Sequence, residues 1–155
     1  MLFNGAGGAE QVDLSANGKR LRFFRTQGAI TMDTAGVERV DFNALGGADL
    51  ATVNDLSGTD VNDVRLDLAS TLGGGNGDGQ TDRIVVNATD GDDAINVQGD
   101  TAGVTVSGLQ AVVAIQHQEP TDQLDINGLA GDDAIDSSGL AAGAIQLLVD
   151  GIPVP

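Results

Sequence analysis

The chain has 155 residues, a length that suits one domain, and carries 23 acidic against seven basic residues, for a formal charge of −16. That balance argues against nucleic acid and anionic membranes as partners, no run approaches the roughly 20 apolar residues that span a bilayer, and the absence of Cys removes disulfides and thiol-held metal. Hydrophobic residues reach 41% but aromatics only 3%, so the core must be narrow and built from Val, Ile, Leu and Ala.

The chain opens on Met1-Leu2-Phe3-Asn4, a short apolar run ending in Asn, followed by Gly8 and then Glu10. Strand candidates follow at Gln11-Val12-Asp13-Leu14, at Arg20-Leu21-Arg22-Phe23 after a turn at Asn17-Gly18, and at Ala29-Ile30-Thr31-Met32. Period-two alternation places Val12 and Leu14 on one buried face, and Leu21 and Phe23 on another, with Arg20 and Arg22 on the solvated side.

The same order returns three times. Val40-Asp41-Phe42-Asn43 leads to Gly47 and Asp49, Ile84-Val85-Val86-Asn87 to Gly91 and Asp93, and Leu124-Asp125-Ile126-Asn127 to Gly131 and Asp133. The following strands are predicted at Leu50-Ala51-Thr52-Val53, Ala94-Ile95-Asn96-Val97 and Ala134-Ile135-Asp136, with second turns at Ser57-Gly58, Gly99-Asp100 and Ser138-Gly139. Further strands are predicted at Val64-Arg65-Leu66-Asp67-Leu68, Val104-Thr105-Val106, Val112-Val113-Ala114-Ile115 and Ile145-Gln146-Leu147, and a Gly-rich loop over residues 72–79.

The four Asn lie 39, 44 and 40 residues apart, which divides the chain into repeats of approximately 1–39, 40–83, 84–123 and 124–155. A period of this size marks a solenoid, in which each unit buries its apolar face against its neighbours. The expectation is a single all-β domain, a right-handed parallel β-helix with equivalent strands about 4.8 Å apart. Asn4, Asn43, Asn87 and Asn127 are expected to line one corner, since Asn tolerates the left-handed turn conformation and its amide can bond to a stacked Asn. Met1 already fills the strand slot of a repeat, which suggests a piece of a longer chain.

Aligned on the shared Gly, the turns are Gly5-Ala6-Gly7-Gly8-Ala9-Glu10, Ala44-Leu45-Gly46-Gly47-Ala48-Asp49, Ala88-Thr89-Asp90-Gly91-Asp92-Asp93 and Gly128-Leu129-Ala130-Gly131-Asp132-Asp133. With the three residues after each, they resemble degenerate copies of the G-G-x-G-x-D-x-U-x nonapeptide of haemolysin-type, or repeats-in-toxin (RTX), calcium-binding proteins. The copy at 128–136 lacks only the second Gly. The resemblance implies a bacterial protein, secreted or at the cell surface, with calcium ions and neighbouring repeat blocks of the parent chain as partners.

The family builds its calcium sites from tandem nonapeptides, whereas each copy here is solitary. A cation that takes six to eight oxygens would have to draw ligands from adjacent coils or water. Asp92, Asp93, Asp132 and Asp133 are the leading metal candidates, followed by Asp49, and Asp78 in the Gly-rich loop. The alternative for every one of them is a turn cap, the carboxylate accepting from backbone N–H groups, and this is the stronger reading for Asp49.

Catalysis is not expected. His117 is the one histidine, placed in an exposed loop beside Glu119-Pro120, and no Cys accompanies it. The sequence points to a non-catalytic spacer module with weak calcium binding at its Gly-Asp turns. The alternatives are an adhesin or surface-layer binding module and a fragment of a carbohydrate-active β-helix enzyme, the latter disfavoured by the lack of Trp and Tyr. An exposed coil end would further allow end-to-end self-association.

Overall fold

The computed structural model describes residues 1–155 and contains strands, turns and no helix. In chain order the strands are β1 (Leu2–Asn4), β2 (Gln11–Asn17), β3 (Arg20–Arg25), β4 (Ile30–Thr34), β5 (Arg39–Asn43), β6 (Leu50–Val53), β7 (Asp63–Asp67) and β8 (Arg83–Asn87). They continue with β9 (Ala94–Asp100), β10 (Gly103–Ser107), β11 (Val112–Gln116), β12 (Gln123–Asn127), β13 (Ala134–Leu140), β14 (Gln146–Val149) and β15 (Ile152–Pro153). They form two mixed sheets, neither closed: sheet A in the order β1-β5-β7-β11-β10-β9-β13, and sheet B in the order β15-β14-β12-β8-β6-β2-β3-β4.

The parallel pairings join residues far apart in sequence. In sheet A, Phe3 faces Phe42, which faces Leu66, which faces Ile115. In sheet B, Val12 faces Ala51, then Ile84, Leu124 and Leu147 in turn. Alternation turns these columns inward, and 29 buried apolar residues drawn from both sheets form one core. Phe3, Phe23 and Phe42 meet at one end of it, with ring centroids 4.8 to 6.4 Å apart in tilted contact.

Several sequence expectations need correction. The third strands of the first and third repeats are not parallel members of a stack: β3 and β10 turn back antiparallel on β2 and β9, and β4 and β11 turn back again. Gly99-Asp100 and Ser138-Gly139 are not turns: the first pair ends β9, and the second lies within β13, at a register shift between Asp136 and Gly139.

The four Asn do not line one corner either. Asn4 and Asn43 end paired strands of sheet A, whereas Asn87 and Asn127 end paired strands of sheet B. The reason is an extra passage between sheets: the 43–87 interval contains β6, β7 and β8, and so an odd number of crossings. The amide stacking itself is present. Asn43 Nδ2 donates to Asn4 Oδ1 at 2.7 Å, Asn127 Nδ2 to Asn87 Oδ1 at 2.8 Å, and Asn87 Nδ2 to Asn54 Oδ1 at 2.8 Å.

Candidate functional site: stacked carboxylates at the strand starts

Turns that carry the chain from the ends of sheet A strands to the starts of sheet B strands form one row, and the return turns form a second. Acidic residues open strands in both. In the first row Glu10, Asp49, Asp82 and Asp122 stand immediately before β2, β6, β8 and β12. Glu10 N donates to Asp49 Oδ1 at 2.7 Å, Asp49 N to Asp82 Oδ1 at 2.8 Å, Asp82 N to Asp122 Oδ1 at 2.9 Å, and Glu119 N to Asp122 Oδ2 at 2.7 Å. Asp49, Asp82 and Asp122 thus each cap the amide of the stacked neighbour, the cross-strand counterpart of an Asx turn, and Glu10 ends the row as an amide donor only.

All four are buried, at 1 to 5% exposure. Arg25 forms an ion pair with Glu10, while Asp49, Asp82 and Asp122 make no ion pair. Burial therefore dominates their acidity: it pushes the Asp49 and Asp82 carboxyls up to about 7 and raises that of Asp122, against the opposing effect of the amide donors. Neighbouring acids add to the rise, Glu10 and Asp78 at Asp49, Asp122 at Asp82, and Glu119 at Asp122. Glu10 Oε2 and Asp49 Oδ2 are buried with no hydrogen-bond partner.

The Gly-rich loop folds over this row. Asp78 Oδ2 accepts from Gly47 N at 2.6 Å and Oδ1 from Gln80 N at 2.8 Å, and Glu119 Oε2 accepts from Gly79 N at 2.6 Å. Asp49 and Asp78, two of the sequence candidates, therefore share this row, but its other members, Glu10, Asp82, Glu119 and Asp122, were not singled out as ligands. Asp82 and Asp122 precede an Asn run instead of following its Gly, so a motif centred on the Gly passes over them.

The second row brings the other four candidates together. Asp93 N donates to Asp133 Oδ1 and Asp132 N to Asp92 Oδ1, both at 2.9 Å, linking the starts of β9 and β13. Asp93 Oδ2 also accepts from Thr89 N and Oγ1, at 2.9 and 2.8 Å. Asp92 and Asp132 are exposed, and Asp93 and Asp133 half-buried.

Close backbone approach explains the Gly of the motif. Gly47 has φ 122° and Gly131 φ 113°, and a Cβ on either would stand 2.4 to 2.5 Å from backbone of the preceding copy, at Ala9 and Gly91. Leu45 and Leu129, at the second position of the nonapeptide-like turn, hold positive φ of 75° and 69°, the conformation a Gly would adopt without strain.

As cation donors these rows have the right atoms, carboxylate and carbonyl oxygens suited to a hard ion, but a low ligand count. No three Asp, Glu or His side chains converge as a metal-binding group, and Asp49, Asp82, Asp92, Asp93, Asp122 and Asp133 each already have at least one carboxylate oxygen engaged by a backbone amide. His117 differs from the exposed loop residue expected: its ring is half-buried, φ is 59°, and Nδ1 lies 2.7 Å from Asp67 Oδ1. Arg20 and Arg22 do share the solvated face with Leu21 and Phe23 inward, Arg20 pairing with Asp33 and Arg22 lying over the Phe24 ring.

Compared with protein-family models, with curated proteins and with solved structures, the chain matches none.

Proposed function

We propose that this chain is a non-catalytic structural module, a right-handed β-solenoid acting as a stiff spacer in a secreted or cell-surface bacterial protein of the haemolysin-type calcium-binding kind. The observation that carries the reading is the stacking of like residues through side-chain bonds at separations of 39 to 40 along the chain: Asn4 with Asn43, Asp92 with Asp132, and Asp93 with Asp133. Stability of such a stack is a sum of neighbour interfaces, which suits a load-bearing element.

Calcium enters this reading at the second row. The exposed Asp92 and Asp132 and the half-buried Asp93 and Asp133 offer carboxylate oxygens from two adjacent strands, and water completes the coordination. Binding is accordingly weak, in the range of about 10⁻⁴–10⁻³ M typical of extracellular calcium modules. Calorimetric titration with calcium, paired with melting curves, tests it. A saturable heat and a rise in Tm that disappear together in Asp92→Asn/Asp132→Asn support the assignment; an unchanged Tm at millimolar calcium leaves these acids as turn caps alone.

A further inference from the structure

Ring closure at an Asn-Gly pair depends on two groups: the side-chain amide carbon Cγ of the Asn, and the main-chain nitrogen of the Gly, which attacks it. A following residue without Cβ leaves that nitrogen unshielded, and its backbone turns freely enough to bring the two together. The chain has four such pairs, Asn4-Gly5, Asn17-Gly18, Asn76-Gly77 and Asn127-Gly128. By sequence alone they are equivalent.

The fold makes them unequal. Asn4 Oδ1 accepts from Asn43 Nδ2 at 2.7 Å while Gly5 N donates to Asn43 O at 2.8 Å, so both reacting groups are tied to one neighbour. Asn127 Nδ2 donates to Asn87 Oδ1 at 2.8 Å and Gly128 N to Asp150 Oδ1 at 2.9 Å. Asn17 ends β2, paired with Arg20 across the hairpin, and its Nδ2 donates to Asp33 Oδ2 at 2.8 Å. At each of the three, turning the Asn side chain onto the Gly nitrogen breaks a bond that the fold has made.

Asn76-Gly77 lies outside any strand, in the Gly-rich loop. The main-chain oxygen of Asn76 accepts from Ser70 N at 3.0 Å, but its side chain is exposed and unbonded, and Gly77 N donates to nothing. Gly73, Gly74 and Gly75 precede the pair, so few side chains restrain its backbone. Asp-Gly pairs close the same ring with loss of water, and all three in the chain are held: Gly79 N donates to Glu119 Oε2 at 2.6 Å, Gly91 N to Thr89 Oγ1 at 3.1 Å, and Gly151 N to Asp125 Oδ1 at 3.1 Å. Only Asn76-Gly77 has both reacting groups free.

We propose that Asn76 is a site of spontaneous deamidation in the folded protein, and that the fold protects the other three Asn-Gly pairs. Gly77 N gives up its proton to solvent base and bonds to Asn76 Cγ; the Cγ–Nδ2 bond breaks, and Nδ2 takes up a solvent proton and leaves as ammonia. Water then opens the five-membered imide, at Cγ to give Asp or at the main-chain carbonyl to give isoaspartate. One water is consumed, one ammonia is released, and no oxidant or reductant takes part. The product adds a carboxylate to the loop that Asp78 and Glu119 hold over the buried acid row. The proposal rests on neither the spacer reading nor calcium.

Peptide mass spectrometry of the aged chain tests it. Trypsin, cutting after Arg65 and Arg83, isolates residues 66–83, in which Asn76 is the only Asn. After incubation of the folded chain in mildly alkaline buffer, this peptide should be one mass unit heavier at residue 76 and separate into Asp and isoaspartate forms, while Asn4, Asn17 and Asn127 stay unchanged. In the same buffer with enough urea to unfold the chain, all four should change at similar rates. Asn76→Gln, whose longer side chain would have to close a six-membered ring, should lose the effect, with circular dichroism and melting confirming that it folds as the parent does. The proposal is overturned if Asn76 ages no faster than the three bonded Asn in the folded chain, if those three stay unchanged in urea, or if Asn76→Gln still gains the mass at residue 76.

Discussion

The amide of Asp49 donates to Asp82 Oδ1 at 2.8 Å across two parallel strands, the two residues lying 33 positions apart and both almost fully buried. Asp82 hands its own amide on to Asp122, so a single line of carboxylates runs along the strand starts of sheet B with its only cation, Arg25, at the Glu10 end.

This line makes stability rise on acidification. A carboxyl whose folded-state value is raised to about 7, from 3.8, holds its proton more tightly folded than unfolded. The stabilisation therefore grows as pH falls through 7 and is complete near 4. Urea midpoints are expected to be higher at pH 5 than at pH 8, and Asp49→Asn/Asp82→Asn should flatten that dependence while leaving an amide oxygen to accept the stacked N–H. A double variant as pH-sensitive as the parent would remove these two groups as the cause.

The Asn stack predicts a gradient of sensitivity. Asn87→Ala breaks bonds to both Asn54 and Asn127 and strands two half-buried amides. The loss should be about 1–3 kcal/mol in chemical denaturation. Asn4→Ala removes one bond at an exposed end and should cost less than about 1 kcal/mol. Equal losses at the two sites would contradict cooperative stacking.

Neighbouring turn positions should respond with opposite signs. Gly131→Ala drives a Cβ to 2.5 Å from the Gly91 carbonyl oxygen at φ 113°, and is expected to lower stability by several kcal/mol or prevent folding. Leu129→Gly, two residues earlier, relieves a left-handed backbone at a side chain 61% exposed. It should gain about 1 kcal/mol, a Tm rise of a few degrees. A loss of stability in Leu129→Gly would mean that its side chain makes contacts worth more than the strain.

The aromatic end of the core offers a packing test. Phe23 is fully buried against Phe3 and Phe42, so Phe23→Ala should cost about 3–5 kcal/mol. Leu72→Ala, in the Gly-rich loop and 64% exposed, should stay within about 0.5 kcal/mol of the parent. Comparable losses in the two would place the loop in the core.

The inward columns were legible in advance, because alternation at Val64 and Leu66, or Ile84 and Val86, assigns a face without knowledge of partners. Strand direction was not, since β3 and β10, antiparallel to both of their neighbours, carry the same alternation as the strands that pair in parallel, and only their short turns mark them as hairpin arms. The buried acids were half legible. Asp49, Asp82 and Asp122 share the pattern acid-x-apolar-x-apolar-Asn with the strand each opens, as Asp82-Arg83-Ile84-Val85-Val86-Asn87 illustrates. The Gly-rich loop, by varying the spacing, hides that this pattern and not the Gly turn is the unit in register along sheet B. Their burial depends on how that loop folds, which no local pattern encodes.

The change of sheet between Asn43 and Asn87 has a practical outcome for any attachment at these turns. A tag or dye placed after Asn43 emerges where strands of sheet A finish, and one placed after Asn127 where strands of sheet B finish, so the two labels stand on opposite flanks, separated by about a strand's length, ~17 Å for five residues. One sequence signature therefore decorates both sides of the molecule, and a reagent that recognises it would bridge two molecules lying side by side.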